Sequence, residues 1–436
     1  MDGTGKTKIM LYGFSSQNEA LIGESLRARG NVEVAAWVAS RVEGGGFGNI
    51  NRCRLKNFAP NRCPPDVFKK LQEAFAEFFF CRVRPKQMYL QSEKYYDYID
   101  YFAEYANFFY DILDSRKIGA VFFANVPHIG ADYVLYRLAK ILGVKTFFFY
   151  QTLFPNKMIC ADGVESLGEY ASKPRAGSGA PEIKNAFEKN LFYMHRGAGL
   201  LSKLKRKFRG LRIRRSAIVL TNVLKFPFTA AYRFRMRRIT RGGADMGKKF
   251  VYFAMHLQPE ATTNPLGGIY ADQALAIEHL RQILPDDWSI YVKENPYQDE
   301  FRRGRLFFKR LASLPNTVVV PPETNTYELL RNCQFAATIT GTVGWEAISG
   351  GKKVLVFGSA WYDRLPGVFK FSENFDLAAM LKSSFTHEQL QSAFDGLYGT
   401  FADGVVNQDY IKICPQFDAA QNAEKVAETI ERLARA

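Results

Sequence analysis

Histidine and cysteine are scarce in this 436-residue chain, at five and six. Their spacing excludes the common structural metal sites. Cys53, Cys63, Cys81, Cys160, Cys333 and Cys414 form no CxxC pair and have no histidines beside them at zinc-ligand spacing. They read as reduced thiols of a cytosolic protein. No secretory signal is predicted, because MDGTGKTKIMLYGFSS carries charge right up to an apolar run of only strand length. The stretch AIVLTNVLKFPFTAAY is too short for a membrane span and is broken by Lys225 and Pro227. The tract GTGKT is not read as a phosphate loop: no glycine stands five positions before Gly5, and the tract precedes the first strand instead of following one. No DxD pair falls convincingly in a loop either. DYID, Asp97 to Asp100, lies in an aromatic helical region, and Asp286 and Asp287 read as a turn before a strand. Acidic residues are missing altogether between Lys203 and Arg241, where fourteen Lys and Arg stand. That one segment holds nearly all of the formal charge of +16, since 45 basic and 43 acidic residues remain elsewhere.

What is present describes a compact chain. Hydrophobic residues at 47% and charged residues at 23% are ordinary for a globular protein, and the length suits two domains with their own cores. KIMLYGFS reads as a strand, NEALIGESLRARG as a helix and VEVAAWVAS as a second strand, which opens a βαβ unit. In the region from Asp66 to Leu113, Tyr98, Tyr101, Phe102, Tyr105 and Phe109 recur at helical spacing, predicting packed helices with an aromatic core face. A strand, a helix ending at Gly143 and another strand follow. A second alternation from Lys248 yields five strands separated by helices. The expected architecture is therefore α/β, with two Rossmann-like doubly wound domains facing a cleft. The expected boundaries are 1–171 for the first domain, 172–247 for a basic amphipathic insertion, 248–375 for the second domain and 376–436 for C-terminal helices.

Three places concentrate chemistry. In TITGTVGWEAISGGKKVLVFG a strand ends at Thr340, the backbone turns at Gly341 and a helix begins near Thr342, so amide N–H groups and two hydroxyls converge where a phosphate binds well. Glu346, one turn into that helix, is either a ribose contact or a favourable first-turn charge. Beyond two neighbouring strands stand His256, Gln258 and Glu260 in MHLQPEATTNP, and Lys293, Glu294 and Asn295 in YVKENP. Strand ends of this kind are where α/β enzymes keep reactive groups, though ordinary loop polarity reads the same way. In the first half, the loop after IGAVFFANVPHIGAD carries His128 and Asp132, candidates for a general base or, alternatively, a loop residue and an early-helix charge.

The run FAMHLQPEAT, DQALAIEHLRQILP, YVKENP, TITGTVGWEAISGGKKVLVFG and YDRLPGV, from about Lys248 to Phe371, resembles the C-terminal half of the capsule polysaccharide biosynthesis family, which includes transferases of Kdo. The resemblance implies a GT-B glycosyltransferase with a nucleotide-sugar donor held mainly by the second domain and no obligatory metal. It implies that Thr340, Gly341 and Thr342 hold donor phosphate and that Lys293 to Pro296 are the counterpart of a His-Pro motif contacting a CMP donor. Asn295 stands where related sequences often carry histidine; it can donate to a phosphate but cannot carry positive charge. A CMP-linked sugar is the favoured donor, with UDP or GDP as alternatives, and the expected acceptor is a surface polysaccharide or glycolipid. A GT-B-shaped nucleotide-sugar epimerase, and a basic nucleic-acid- or membrane-binding protein without catalysis, are the alternative readings.

Leu200, Leu201, Leu204, Phe208 and Leu211 fall at helical spacing among Lys203, Lys205, Arg206, Lys207 and Arg209. An apolar stripe flanked by cations suits an anionic membrane surface, so peripheral attachment to the inner face of the cytoplasmic membrane is expected. No nucleic-acid motif accompanies the cluster. Oligomeric state is not legible.

Overall fold

The strand β1 (Lys8–Tyr12) shows no polar alternation, and Ile9, Met10 and Leu11 are fully buried, as in the interior of a parallel sheet covered on both faces. The computed structural model describes residues 6–39, 61–82, 94–165, 167, 179–187, 227, 229–240, 242–258, 260–298 and 303–436. The chain divides into two compact units, one of Met1–Val83, Ser92–Gly179 and Gly396–Ala436, the other of Arg84–Gln91 and Ala180–Asp395.

In the first unit, helix α1 (Gln17–Arg29) starts with a capping box, in which Ser16 Oγ accepts the Glu19 N–H and the Glu19 carboxylate accepts the Ser16 N–H. It ends at Gly30, whose φ of 64° only glycine adopts readily. After β2 (Glu33–Val38) come α2 (Pro65–Leu71), α3 (Phe75–Arg82) and the long α4 (Tyr95–Ser115). The aromatic stripe is core as expected: Tyr98, Phe102, Tyr105 and Phe109 are buried along α4, and Phe102 meets Phe78 of α3 with ring centroids 5.2 Å apart. Then follow β3 (Ala120–Phe123), α5 (Ala131–Ile141), β4 (Lys145–Gln151) and β5 (Lys157–Ala161). With β12 (Ala402–Asp403), the sheet order is β12-β5-β4-β3-β1-β2. The four strands from β2 to β4 are parallel, while β5 and β12 add antiparallel pairs that the sequence pattern does not announce.

The stretch expected as one C-terminal helical segment is divided between the units. Its last helix, α12 (Ala419–Arg435), packs on α1: Val426, Ile430 and Leu433 join Ile22 and Leu26 in one core, and Arg29 reaches Glu424 and Glu431 at 2.9 and 3.0 Å. Apolar burial between the two helices supplies the driving force that returns the end of the chain to its beginning.

In the second unit β6 (Phe250–Ala254), α6 (Gln273–Ile283), β7 (Ser289–Lys293), α7 (Arg305–Ser313), β8 (Thr317–Val319), α8 (Thr326–Asn332), β9 (Phe335–Thr338), α9 (Thr342–Ser349), β10 (Val354–Val356) and β11 (Val368–Lys370) alternate along the chain. The sheet order is β11-β10-β9-β6-β7-β8 and every pairing is parallel. It has six strands where the sequence suggested five; the extra one, β11, is three residues long and lies at an edge. Two further helices, α10 (Leu377–Lys382) and α11 (His387–Tyr398), follow. A helix over residues 229–239 precedes β6, with Met236 and Ile239 packed on the core and Thr240 bridging to Val319. Each unit is thus a doubly wound α/β sheet. Strand order reverses between β1 and β3 in the first and between β6 and β9 in the second, which are the crevices where such sheets bind ligands.

Candidate functional site

His256 leaves the carboxyl end of β6 at the reversal point and turns back toward β9. Its ring Nε2 lies 2.9 Å from Thr338 Oγ1 and accepts the Thr340 N–H at 3.2 Å. A backbone N–H only donates, so Nε2 holds a lone pair and the ring proton sits on Nδ1. Burial, with the Arg303 charge adding to it, lowers the histidine pKa to about 4, which agrees with a neutral ring. Gln273 fixes the residue from the other side, accepting the His256 N–H at 2.8 Å and donating to its carbonyl at 3.1 Å. Thr338 Oγ1 also accepts the Gly341 N–H at 3.3 Å, so histidine and threonine together shape the turn from β9 into α9.

That turn admits only glycine. A Cβ on Gly341 would stand 2.9 Å from both His256 Nε2 and Thr338 Oγ1. Its φ of −74° is ordinary, so the requirement is space and not backbone conformation. Gly341 caps α9 without a side-chain hydrogen bond; the Gly344 N–H turns back onto Gly341 O at 3.0 Å, which leaves those of Thr342 and Val343 for another acceptor. Its own carbonyl accepts the Tyr362 hydroxyl. Thr340 donates its hydroxyl to Thr262 O at 2.5 Å and is buried, so it holds a loop instead of presenting an open hydroxyl. Thr342 is half-buried and donates to Glu346. Glu346 is buried, and desolvation outweighs that hydrogen bond to push its carboxyl up to about 7.

Two of the remaining candidates on this sheet edge, Gln258 and Glu294, form a buried lattice around Arg303, which no sequence signal singles out. Arg303 is 1% exposed. Its Nε donates to Glu294 Oε2 at 2.8 Å, its Nη2 to Glu294 Oε1 at 3.2 Å and to His256 O at 3.1 Å, and its Nη1 to Gln258 Oε1 at 2.6 Å. Gln258 also donates to Ala271 O. Gln258 and Glu294 therefore orient the loops after β6 and β7 through a paired charge. Lys293 Nζ donates to Thr324 O at 2.6 Å and Thr326 Oγ1 at 2.9 Å, and burial lowers its pKa. Asn295 Oδ1 accepts the Tyr297 N–H at 3.0 Å, which fixes the amide orientation in a tight turn. Glu260 is exposed, with Oε2 3.2 Å from Thr262 Oγ1. Thr338, two residues before Thr340 on one strand face, was findable from the TIT alternation; Gln273 and Arg303 were not.

The first unit has its own cavity, about 170 Å³, at the reversal between β1 and β3, lined by Tyr12, Gly13, Glu19, Asn125, His128 and Asp132 among others. Asp132 is buried and accepts four backbone N–H groups, from His128, Ile129, Gly130 and Tyr133, at 2.8 to 2.9 Å. Three of these bonds fall on Oδ1 and one on Oδ2, so the carboxylate organises the loop before α5. His128 Nδ1 stands 2.5 Å from Val126 O. A carbonyl only accepts, so Nδ1 carries the proton and the basic lone pair is on Nε2. The two candidates thus meet where the His128 backbone N–H donates to the Asp132 carboxylate.

Lys203, Lys205, Arg206, Lys207 and Arg209 lie outside the described residues, as does the GTGKT tract before Lys6. Among the described residues no helix is long and apolar enough to cross a membrane, and no group of three or more His, Cys, Asp or Glu is placed to hold a metal ion.

A neutral histidine, a glycine turn and a helix N-terminus without a side-chain cap meet at the sheet reversal, the place where doubly wound α/β sheets bind their ligands. Residues 254–374, which contain all of these features, match the family described as capsule polysaccharide biosynthesis protein, so the resemblance carried by the sequence holds over this stretch. No curated protein matches the chain in sequence. Among solved structures the chain is similar to Thermosulfurimonas dismutans KpsC, beta Kdo 2,7 transferase, at 11% identity over 83% of this chain and 96% of that one, with a TM-score of 0.33. It is also similar to UDP-GlcNAc 2-epimerase from Methanocaldococcus jannaschii, at 11% identity over 98% and 99%, with a TM-score of 0.25. The glycosyltransferase SnogD from Streptomyces nogalater pairs at 12% identity over 98% and 99%, with a TM-score of 0.23.

Proposed function

We propose that the protein is a glycosyltransferase of surface-polysaccharide synthesis, moving a sugar from a nucleotide-sugar donor to a polysaccharide or glycolipid acceptor at the cytoplasmic membrane. The observation that carries the reading is the uncapped N-terminus of α9, held open at Gly341 against a neutral His256, within a stretch that matches a capsule-biosynthesis family. Donor phosphate at that place accepts the Thr342 and Val343 N–H groups and gains from the helix dipole. Glu346, kept near-neutral by burial, donates to a ribose hydroxyl or accepts from it.

In the transfer, an acceptor hydroxyl oxygen attacks the anomeric carbon, the bond from that carbon to the phosphate oxygen breaks, and the departing nucleotide takes the electron pair. Negative charge then grows on phosphate, where preorganised N–H donors stabilise it most. The acceptor proton passes to a base, and His128 Nε2 is the group assigned that part, with Asp132 positioning its loop. Helix dipole and Lys293 stand in for a metal; activity surviving EDTA supports this, and activity lost to EDTA and restored by metal removes it. A CMP-linked donor is the first choice.

Thermal-shift titration with CMP, UDP and GDP tests the reading, since a ligand bound only by the folded state raises Tm. A selective shift with CMP supports the favoured donor, while selectivity for UDP or GDP keeps transfer and changes the nucleotide. No shift with any of them overturns the proposal.

A further inference from the structure

The helix over residues 229–239 lies on α7, with the Tyr232 and Phe308 rings 5.8 Å apart between centroids. Tyr232, Met236 and Ile239 face the protein, and this fixes what faces out: Arg233, Phe234, Arg237 and Arg238 are exposed, as are Arg305, Leu306 and Lys309 on α7. Phe234 is 61% and Leu306 71% exposed, large values for apolar side chains. Neither helix contains an Asp or Glu. Among the described residues none of the five outward cations forms an ion pair, whereas Arg310, on another side of α7, is bound to Asp272 and Glu278 at 2.6 and 2.7 Å. Arg238 lies over the Phe234 ring at 5.7 Å, which keeps an aromatic and a cation side by side.

We propose that this two-helix face docks on an anionic lipid bilayer, with Phe234 and Leu306 entering the boundary between headgroups and acyl chains and the five cations meeting lipid phosphates. Charge complementarity calls for an anionic partner, because these guanidinium and ammonium groups gather here with no counter-charge paired to them among the described residues. The two protruding apolar side chains select a bilayer over a nucleic acid, whose phosphate backbone gains nothing from Leu306. The face is built from residues other than Lys203 to Arg209, on helices whose inner sides are tied to a packed core. It deepens the proposed function by naming where the enzyme meets the membrane bearing its acceptor, and it rests on that reading for its purpose only.

Co-sedimentation of the full chain with phosphatidylcholine vesicles, with and without phosphatidylglycerol, tests it in the absence of donor and acceptor. Binding is expected only with the anionic lipid. The triple variant Arg233→Gln, Arg237→Gln, Arg305→Gln is expected to bind roughly a hundredfold more weakly at unchanged Tm, and Lys at the same three positions to restore most of the binding. Phe234→Ala is expected to weaken vesicle binding roughly tenfold and to leave binding to duplex DNA unaltered. Wild-type binding by the triple variant, equal binding to neutral vesicles, no binding to either, or Phe234→Ala without effect on vesicles overturns the proposal. A nucleotide-induced Tm shift that persists in those cases leaves the transferase reading standing.

Discussion

The backbone N–H of Thr340 donates to His256 Nε2 over 3.2 Å, so the strand end that leads into α9 is fastened by a histidine that must stay neutral. The pKa of about 4 lies below the ordinary 6.5, so the unfolded chain binds the proton first as pH falls. Stability from this group is complete above pH 6.5 and declines as pH drops toward 4, by at most about 3 kcal/mol from the size of the shift. His256→Asn should flatten that part of the curve of Tm against pH relative to wild type. Parallel curves for the two proteins between pH 4 and 6.5 would show that the ring is not held neutral.

Glu346 acts with the opposite sign. Its carboxyl is raised to about 7 from 4.5, so the folded state holds the proton longer, and stability falls as pH rises from about 4.5 to 7. Glu346→Gln keeps the shape without the buried charge and should raise Tm at pH 8, by the equivalent of roughly 1–3 kcal/mol. If Glu346 contacts the ribose, the same variant loses nucleotide affinity, the usual trade of stability against function. A variant less stable than wild type at pH 8 contradicts the burial argument.

At Gly341 the space is already filled. Gly341→Ala forces a methyl to 2.9 Å from the His256 ring and from Thr338 Oγ1, and neither can withdraw without breaking the bonds that shape the turn. The expected loss is about 1–3 kcal/mol of stability. Nucleotide-induced Tm shifts should disappear with it. Full retention of the shift would separate the turn from ligand binding.

Arg303 is paired inside the protein, and its loss is felt as a buried charge. Arg303→Met leaves Glu294 buried with no counter-charge, at a cost of roughly 3–5 kcal/mol, whereas the double variant with Glu294→Gln should recover much of it. Chemical denaturation of the wild type, Arg303→Met, Glu294→Gln and the double variant measures this, and additive losses would mean the pair does not act as a pair.

The α/β alternation was legible because strands such as β1, beyond Lys8, and β6 are continuous apolar runs and their helices carry clear ends, Ser16 with Glu19 and Gly30 among them. β5 and β12 were not, since β5 follows β4 with no helix between them and β12 is a two-residue edge strand with no period to read. Around the site, the Thr340–Gly341–Thr342 turn was visible from a strand end meeting a helix start. The roles of Gln258 and Glu294 were hidden because their partner, Arg303, comes from a loop nine residues beyond Glu294 and joins them only in three dimensions. Asp132 read equally well as a base or an early-helix charge, and only its four N–H donors show what the carboxylate holds.

His128 and Asp132 are therefore expected to fail in different ways. His128→Gln removes the basic Nε2 while the Asp132 bonds to the backbone stay, so kcat should fall by roughly 10²-fold or more with Tm nearly unchanged. Asp132→Ala releases four N–H groups around the loop and should lower Tm first, because buried donors without acceptors are costly, at roughly 1–3 kcal/mol each before water re-enters. Asp132→Asn keeps only part of the acceptor set and should fall between. The discriminating readout is kcat against pH. With His128 as base, the acid limb belongs to a histidine and vanishes in His128→Gln, but it survives at reduced amplitude in Asp132→Asn. An acid limb untouched by His128→Gln would place the base elsewhere.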